Sequence, residues 1–269
     1  MPASSSALRL YVTTDLSTGS EIDLSQDQAR YVAQVMRRAV GDAVLLFNGR
    51  DGEWQGQVSQ LGKKTATITM VQQTRPQAAG QSLTLLFAPV KRTGTDLIVQ
   101  KVTELGVTVI QTVLTARTNS ERVRGDRLTS IAIEAAEQCR RVSVPDIKEP
   151  ISLEQVLSDW PAEHPIFVCD ETGSGQPVAA AMAPFAAKNV AGAGFVIGPE
   201  GGFSETELDL MRSLPFCSLV SLGPRILRAE TAAFAALTCW QALCGDWCLV
   251  SPSLQDQDET EAGTVKTKP

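Results

Sequence analysis

Three consecutive units towards the C-terminal end share one plan, an apolar strand, a loop of Gly and Pro, and a helix. They are PIFVCDE with TGSGQP, GFVIG with GPEGG, and LVSLG with GPRILRAE. Strands built from Val, Ile, Phe and Leu are buried on both faces, and strands that alternate with helices pair in parallel. The chain around them is therefore predicted to be α/β, a mostly parallel sheet covered by helices. The rhythm starts upstream. SLTLLFAPV reads as a strand, residues 96–105 as a helix stopped by Gly106, VTVIQTVLTA as a strand, and residues 126–141 as a helix closed before Pro145. Ser152 and Gln155 have capping-box spacing and open another helix through Trp160.

Residues 8–72 are organised differently. Short β-like stretches (LRLYV, AVLLF, EWQGQV, TATITMV) are separated by turn signals such as NGRDG and LGKK. One helix over residues 27–39 interrupts them, with Ala29, Val32, Ala33 and Met36 near one face and Gly41 beyond its end. A small, mostly β, barrel-like domain is expected. The polar segment QQTRPQAAGQS is the best linker. The expected division is residues 1–75 for the β domain, 76–250 for the α/β domain, and 251–269 for a disordered tail without apolar periodicity.

Composition removes several functional classes. A net charge of -6 and a pI near 5.0 argue against coating nucleic acid by bulk electrostatics. The N-terminal segment is nearly neutral, however, and gathers Arg30, Arg37, Arg38, Arg50, Lys63 and Lys64, a surface open to either RNA or plain solvation. The six cysteines form no CxxC pair and the chain has one histidine, His164, so disulfide and zinc readings fail and no metal is expected. Cys244 and Cys248 are read as small core residues. No apolar run approaches the roughly 20 residues that cross a bilayer. The start MPASSSALRL also lacks the basic flank and apolar stretch of a signal peptide, so a cytoplasmic location without a membrane partner is expected.

The last two loops carry the chemistry. In GPEGG, Gly198 ends a strand, Pro199 stiffens the turn, and Gly201 and Gly202 permit positive φ and close ligand approach. Ser204 and Glu207 make a capping box that opens the next helix. Glu200 is a carboxylate held between rigid turn residues beside that helix start, a placement packing does not explain. In LGPRILRAE, Arg225 and Arg228 flank Ile226 and Leu227. The helix that follows, over residues 231–244, is small and apolar nearly all round, so it is expected to be buried in a core or a subunit interface. Arginines beside an apolar wall suit a ligand with one flat apolar part and one anionic part. Rival sites lack their motifs: there is no GxxxxGK(S/T) and no GxSxG, and TGSGQP is too short for a dinucleotide fingerprint.

With two upstream segments, these loops resemble the SPOUT-class methyltransferases, and specifically the bacterial family that methylates N3 of a uridine in 16S ribosomal RNA. The matching segments are VQKVTELGV (99–107), IAIEAAEQCRRVSVP (131–145), IGPEGGFSETE (197–207) and LGPRILRAETA (222–232), in the family's order. The N-terminal part is similar to that family's PUA-like domain, so the resemblance spans about residues 8–248. One departure is visible. Where the family commonly reads EQSGR, this chain has Glu137, Gln138, Cys139, Arg140 and Arg141, which leaves the local backbone shape open.

The resemblance implies a deep trefoil knot in the α/β domain, a homodimer, S-adenosyl-L-methionine as cofactor, and 16S ribosomal RNA in the small ribosomal subunit as partner. It places the cofactor at Gly198, Glu200, Gly201, Gly202, Leu222, Gly223, Ile226 and Leu227. Methyl transfer to N3 needs in-line alignment, removal of a proton, and stabilisation of charge spreading onto the uracil oxygens. Arg228 is implied for that charge, and Glu200 as proton acceptor, directly or through water. Arg30, Arg37, Arg38 and Arg225 are implied to hold RNA. Two neighbouring readings stay open, a SPOUT enzyme acting on another base or a ribose 2'-OH, and a non-catalytic RNA-binding ribosome assembly factor.

Overall fold

The computed structural model describes residues 8–78, 80–119, 123–186, 188 and 190–248; the expected tail lies outside them. The N-terminal part contains β1 (Arg9–Tyr11), β2 (Glu21–Asp23), β3 (Ala43–Phe47), β4 (Glu53–Leu61) and β5 (Ala66–Arg75), in the sheet order β1-β3-β4-β5-β2. Both edge strands feed one apolar cluster, Leu10 from β1 and Ile22 from β2 meeting Val44, Leu46, Val58 and Ile68, so the sheet curls around it. Gly56 makes the curl possible, because a Cβ there would fall 2.0 Å from Met70 Cε.

The expected helix over 27–39 is shorter and mixed. α1 (Gln26–Arg30) starts at a capping box of Ser25 and Gln28, then widens into a π turn over Tyr31–Val35. Arg37 at φ 49 ends it. The linker also begins later than the polar sequence suggests, since β5 pairs with β4 as far as Arg75 opposite Glu53.

The second sheet holds β6 (Ser82–Phe87), β7 (Val109–Leu114), β8 (Asp146–Ser152), β9 (Ile166–Cys169), β10 (Gln176–Pro177), β11 (Gly192–Ile197) and β12 (Cys217–Ser221). All are parallel, in the order β10-β12-β9-β11-β6-β7-β8. Its helices are α2 (Arg92–Glu104), α3 (Gly125–Gln138), α4 (Leu153–Ser158), α5 (Val178–Met182), α6 (Glu205–Ser213) and α7 (Ala229–Leu243). Alternate residues of each strand face opposite layers. Leu85, Phe167 and Phe195 pack with α2, α3, α5 and α7, whereas Leu86, Val168 and Val196 pack with α4 and α6. At the centre of the first layer Trp240 is fully buried against Phe167 and Phe195, and its Nε1 donates to Gln81 Oε1 at 3.3 Å.

Three local expectations need correction. β8, with the polar sequence DIKEPIS, has no apolar signal because it is an edge strand, yet it pairs with β7 over most of its length. α2 begins at Arg92, four residues before its first apolar turn. α7 buries Ala233, Ala236, Leu237, Trp240 and Gln241 in the core, but Cys248 beyond it, read as a small core residue, is exposed.

Candidate active site

Parallel α/β sheets bind ligands beyond the carboxyl ends of their strands, where the strand order reverses. Here β11 lies between β6 and β9, and the chain runs outward from β6 to β8 on one side and from β9 to β10 on the other. The loops leaving β6, β9, β11 and β12 enclose a cavity of about 830 Å³. Gly198, Glu200, Leu222, Gly223, Arg225, Ile226, Leu227 and Arg228 all line it.

The β11 loop is fixed from outside the cavity. Gly202 N donates to Pro199 O at 2.9 Å, Arg117 Nη1 donates to Gly201 O at 2.8 Å, and Ser204 caps α6 in a reciprocal box with Glu207. The buried Glu207 carboxylate also accepts from Ala116 N at 2.8 Å. Gly201 and Gly202 do not line the cavity; their surroundings explain them otherwise. Gly202 sits at φ +66 with Glu171 so close that a Cβ would meet its Oε1 at 1.6 Å. It therefore shapes the cavity through Glu171, which does line it.

The β12 loop supplies an apolar wall and the free cations. Leu222 and Leu227 are half-buried, and Ile226, which lines the cavity beside them, is 85% exposed. Arg228 is the N-cap residue of α7 and is exposed at the cavity, as is Arg225; neither makes an ion pair among the described residues.

Several lining residues were not singled out in the sequence: Lys91, Thr93 and Gly94 after β6, Asn119, then Asp170 and Glu171 after β9, and Glu230 in the first turn of α7. The signal for them is positional, since β6 and β9 flank β11 and β7 and β12 lie one strand further out, so that the segments leaving them reach the same space. Asp170 is a builder of that loop. Burial alone would raise its pKa, but hydrogen bonds from Ser174 Oγ at 2.7 Å, Thr172 Oγ1 at 2.6 Å and Thr172 N at 2.9 Å outweigh it and hold the carboxyl below its ordinary value. Cys169 is a wall residue, its thiol pushed up to about 12 by burial, which disfavours the thiolate. Arg30, Arg37 and Arg38 lie on α1 and the turn after it, outside this cavity.

Comparison with known proteins agrees with this geometry. Residues 77–241 match the model of an RNA methyltransferase domain, and residues 24–71 match that of an RNA methyltransferase PUA domain. A Rickettsia conorii protein named ribosomal RNA small subunit methyltransferase E is 31% identical over 85% of this chain and 93% of its own length. Its Synechocystis namesake is also 31% identical, over 88% of this chain and 78% of its own. A crystal structure of the Neisseria gonorrhoeae methyltransferase E bound to S-adenosyl methionine superposes with a TM-score of 0.78 at 28% identity, covering 90% of this chain and 99% of that one.

The parallel sheet with its loop cavity and the curled N-terminal sheet thus define a two-part RNA methyltransferase. Within that class, the chain belongs to the family of small-subunit ribosomal RNA methyltransferase E proteins.

Proposed function

We propose that this protein transfers a methyl group from S-adenosylmethionine to N3 of one uridine in 16S ribosomal RNA of the small subunit, in the cytoplasm. The observation that carries the reading is the convergence of Leu222, Leu227 and the exposed Ile226 with Glu200, Arg225 and Arg228 on one cavity. The residues present fit the cofactor. An apolar wall suits adenine, the backbone of Gly198 and Gly223 lies open at the strand ends, and Glu171, Glu200 and Glu230 favour a ligand with cationic sulfonium and amino groups. When bound, the cofactor supplies an activated methyl carbon.

The remaining work falls to the chain. Arg228, at the N-cap position of α7 and without an ion pair among the described residues, stabilises charge on a uracil oxygen as the N3 proton leaves. Glu200 receives that proton, directly or through water. The rigid GPEGG turn keeps both groups in register with the acceptor. Arg30, Arg37, Arg38 and Arg225 hold RNA phosphates, the first three from a β domain over residues 1–75 that serves as the RNA-binding module of an α/β domain over 76–250.

A homodimer and a knotted path belong to the same reading. α7 leaves Thr238 and Ala242 exposed and Phe234 and Ala235 half-exposed on an apolar surface, with Trp247 56% exposed just beyond it. The insertion of β11 between β6 and β9, and the packing of α7 on both α2 and α5, suit a chain that passes back through its own loops. Mass mapping of 16S RNA after incubation with the enzyme tests the whole reading; methyl appearing on a ribose would favour the 2'-O alternative instead.

A further inference from the structure

Beside the first cavity lies a second, of about 700 Å³, and Val90, Lys91, Thr93 and Asn119 line both. The wall they form is thin and shared. The far side of the second cavity is cationic: among the described residues Arg92, Arg124 and Arg127 line it against one carboxylate, Asp96. Asp96 is committed to Arg127 in a two-point ion pair. Arg124 reaches Asp126 at 2.5 Å but remains 68% exposed, while Lys91 and Arg92 make no ion pair among the described residues.

Two long helices start at this cavity without a side-chain cap; α3 has Asp126 in its first turn, paired with Arg124, whereas α2 has no such compensation. The N-cap residue of α2 is Lys91 and that of α3 is Arg124. Helix N-termini present unsatisfied amides and a positive partial charge, which anions stabilise and cations oppose. Lys91 and Arg92, with no carboxylate partner among the described residues, leave positive charge at the start of α2 that an oxyanion would offset, while Asp126 does so only in part for the exposed Arg124.

Resting on the RNA-methyltransferase reading above, we infer that the second cavity seats a backbone phosphate of the acceptor RNA strand, held by Arg92 and Arg124, while the neighbouring base crosses the shared wall towards Arg228. The first cavity is already as large as a small-molecule site needs to be. The cofactor therefore has no need of the second, and the polyanion with a base to present is the RNA.

The test uses the full-length protein with Arg92→Ala, Arg124→Ala and the double substitution, none of which alters a residue lining the first cavity. Binding of a labelled single-stranded RNA oligonucleotide is measured across a salt series, and S-adenosylmethionine affinity by calorimetry. The double variant is expected to lose about tenfold or more in RNA affinity at 0.1 M salt, with a salt slope shallower by about one to two. Cofactor affinity and thermal unfolding stay at the wild-type level. RNA binding and slope equal to wild type would overturn the inference, and a fall in cofactor affinity alone would assign the cavity to the cofactor's carboxylate. The RNA-binding arm reads without turnover. A wild-type protein that transfers no methyl group would refute the proposed function and leave this result standing on its own.

Discussion

Arg9 Nε donates to Glu53 Oε2 at 2.6 Å, with the two side chains 7% and 6% exposed, and the same guanidinium donates to the carbonyls of Ala136, Glu137 and Arg141 at the end of α3. One arginine of β1 therefore fastens the N-terminal sheet to the catalytic layer. Arg75 completes the arrangement, donating to Glu53 Oε2 at 2.8 Å and to Arg140 O at 2.8 Å. Removing Glu53 leaves the buried Arg9 without its carboxylate, so Glu53→Gln is expected to destabilise the fold by about 3 kcal/mol, and Arg9→Ala by less, about 2 kcal/mol, because Arg75 still pairs with Glu53. Urea unfolding at neutral pH measures this.

The same carboxylate gives an acid limb. Burial pulls the Glu53 pKa up, but the hydrogen bonds and charges of Arg75 and Arg9 outweigh it and hold the group below its ordinary value. A depressed folded pKa adds stability that is present above the unfolded value, about 4.3, and is lost as pH falls through the lower folded value. Glu137 runs the other way. Burial raises its pKa despite the bond from Tyr11 N, so its contribution is present at low pH and fades as pH rises through the raised folded value. Stability measured against pH should fall below about pH 4.3 in wild type and be flatter there in Glu53→Gln.

Arg140, where the family resembled in sequence commonly has glycine, sits in the left-handed region at φ 62. The sequence departure is thus absorbed by strain at one residue, and the Arg140 carbonyl still faces Arg75. Arg140→Gly is expected to raise stability by roughly 0.5–1 kcal/mol, because left-handed backbone disfavours side chains by more than glycine loses in chain entropy. Thermal and urea unfolding of the variant check this, and no gain would mean that the arginine side chain contributes as much as its backbone costs.

Gly202 and Glu171 should behave as a coupled pair. Gly202→Ala strains a positive φ and pushes the exposed end of Glu171 aside, and it is expected to cost about 2 kcal/mol, mostly from the backbone, and to weaken cofactor binding. In a Glu171→Ala background only the φ cost of roughly 1–2 kcal/mol remains. A double-mutant cycle by unfolding shows the difference; simple additivity would mean that the two residues do not meet.

The sequence was most legible where strands are buried on both faces. IFVC and GAGFVI form β9 and β11 as expected, and the capping box of Ser204 and Glu207 starts α6. The loops after β11 and β12 were legible for the same reason, since Gly and Pro between such a strand and a helix leave little freedom. β8 was invisible because a polar edge strand is specified by its partner and not by its own side chains. Lys91, Glu171 and Asn119 were missed because nothing in their local sequence distinguishes them; only the sheet order brings their loops to the cavity. Gly201 and Gly202 were legible as special glycines, but their role is to shape the loop, with Arg117 and Glu171 against them, and not to line the cavity.

Arg228→Ala separates chemistry from binding. The side chain is exposed and makes no ion pair among the described residues, so its loss should leave stability within about 0.5 kcal/mol of wild type. Turnover is expected to fall by about 100-fold or more while S-adenosylmethionine affinity changes by less than about threefold. Equal losses in both would make Arg228 a cofactor ligand.

The central claim is decided by one measurement. Small ribosomal subunits from cells lacking this protein are incubated with it and isotopically labelled S-adenosylmethionine, and the 16S RNA is digested and mapped by mass spectrometry. The expected result is one labelled methyl group, on N3 of a single uridine, and absent with the Arg228→Ala protein. Label on another base, on a ribose, or on no nucleotide at all would contradict it.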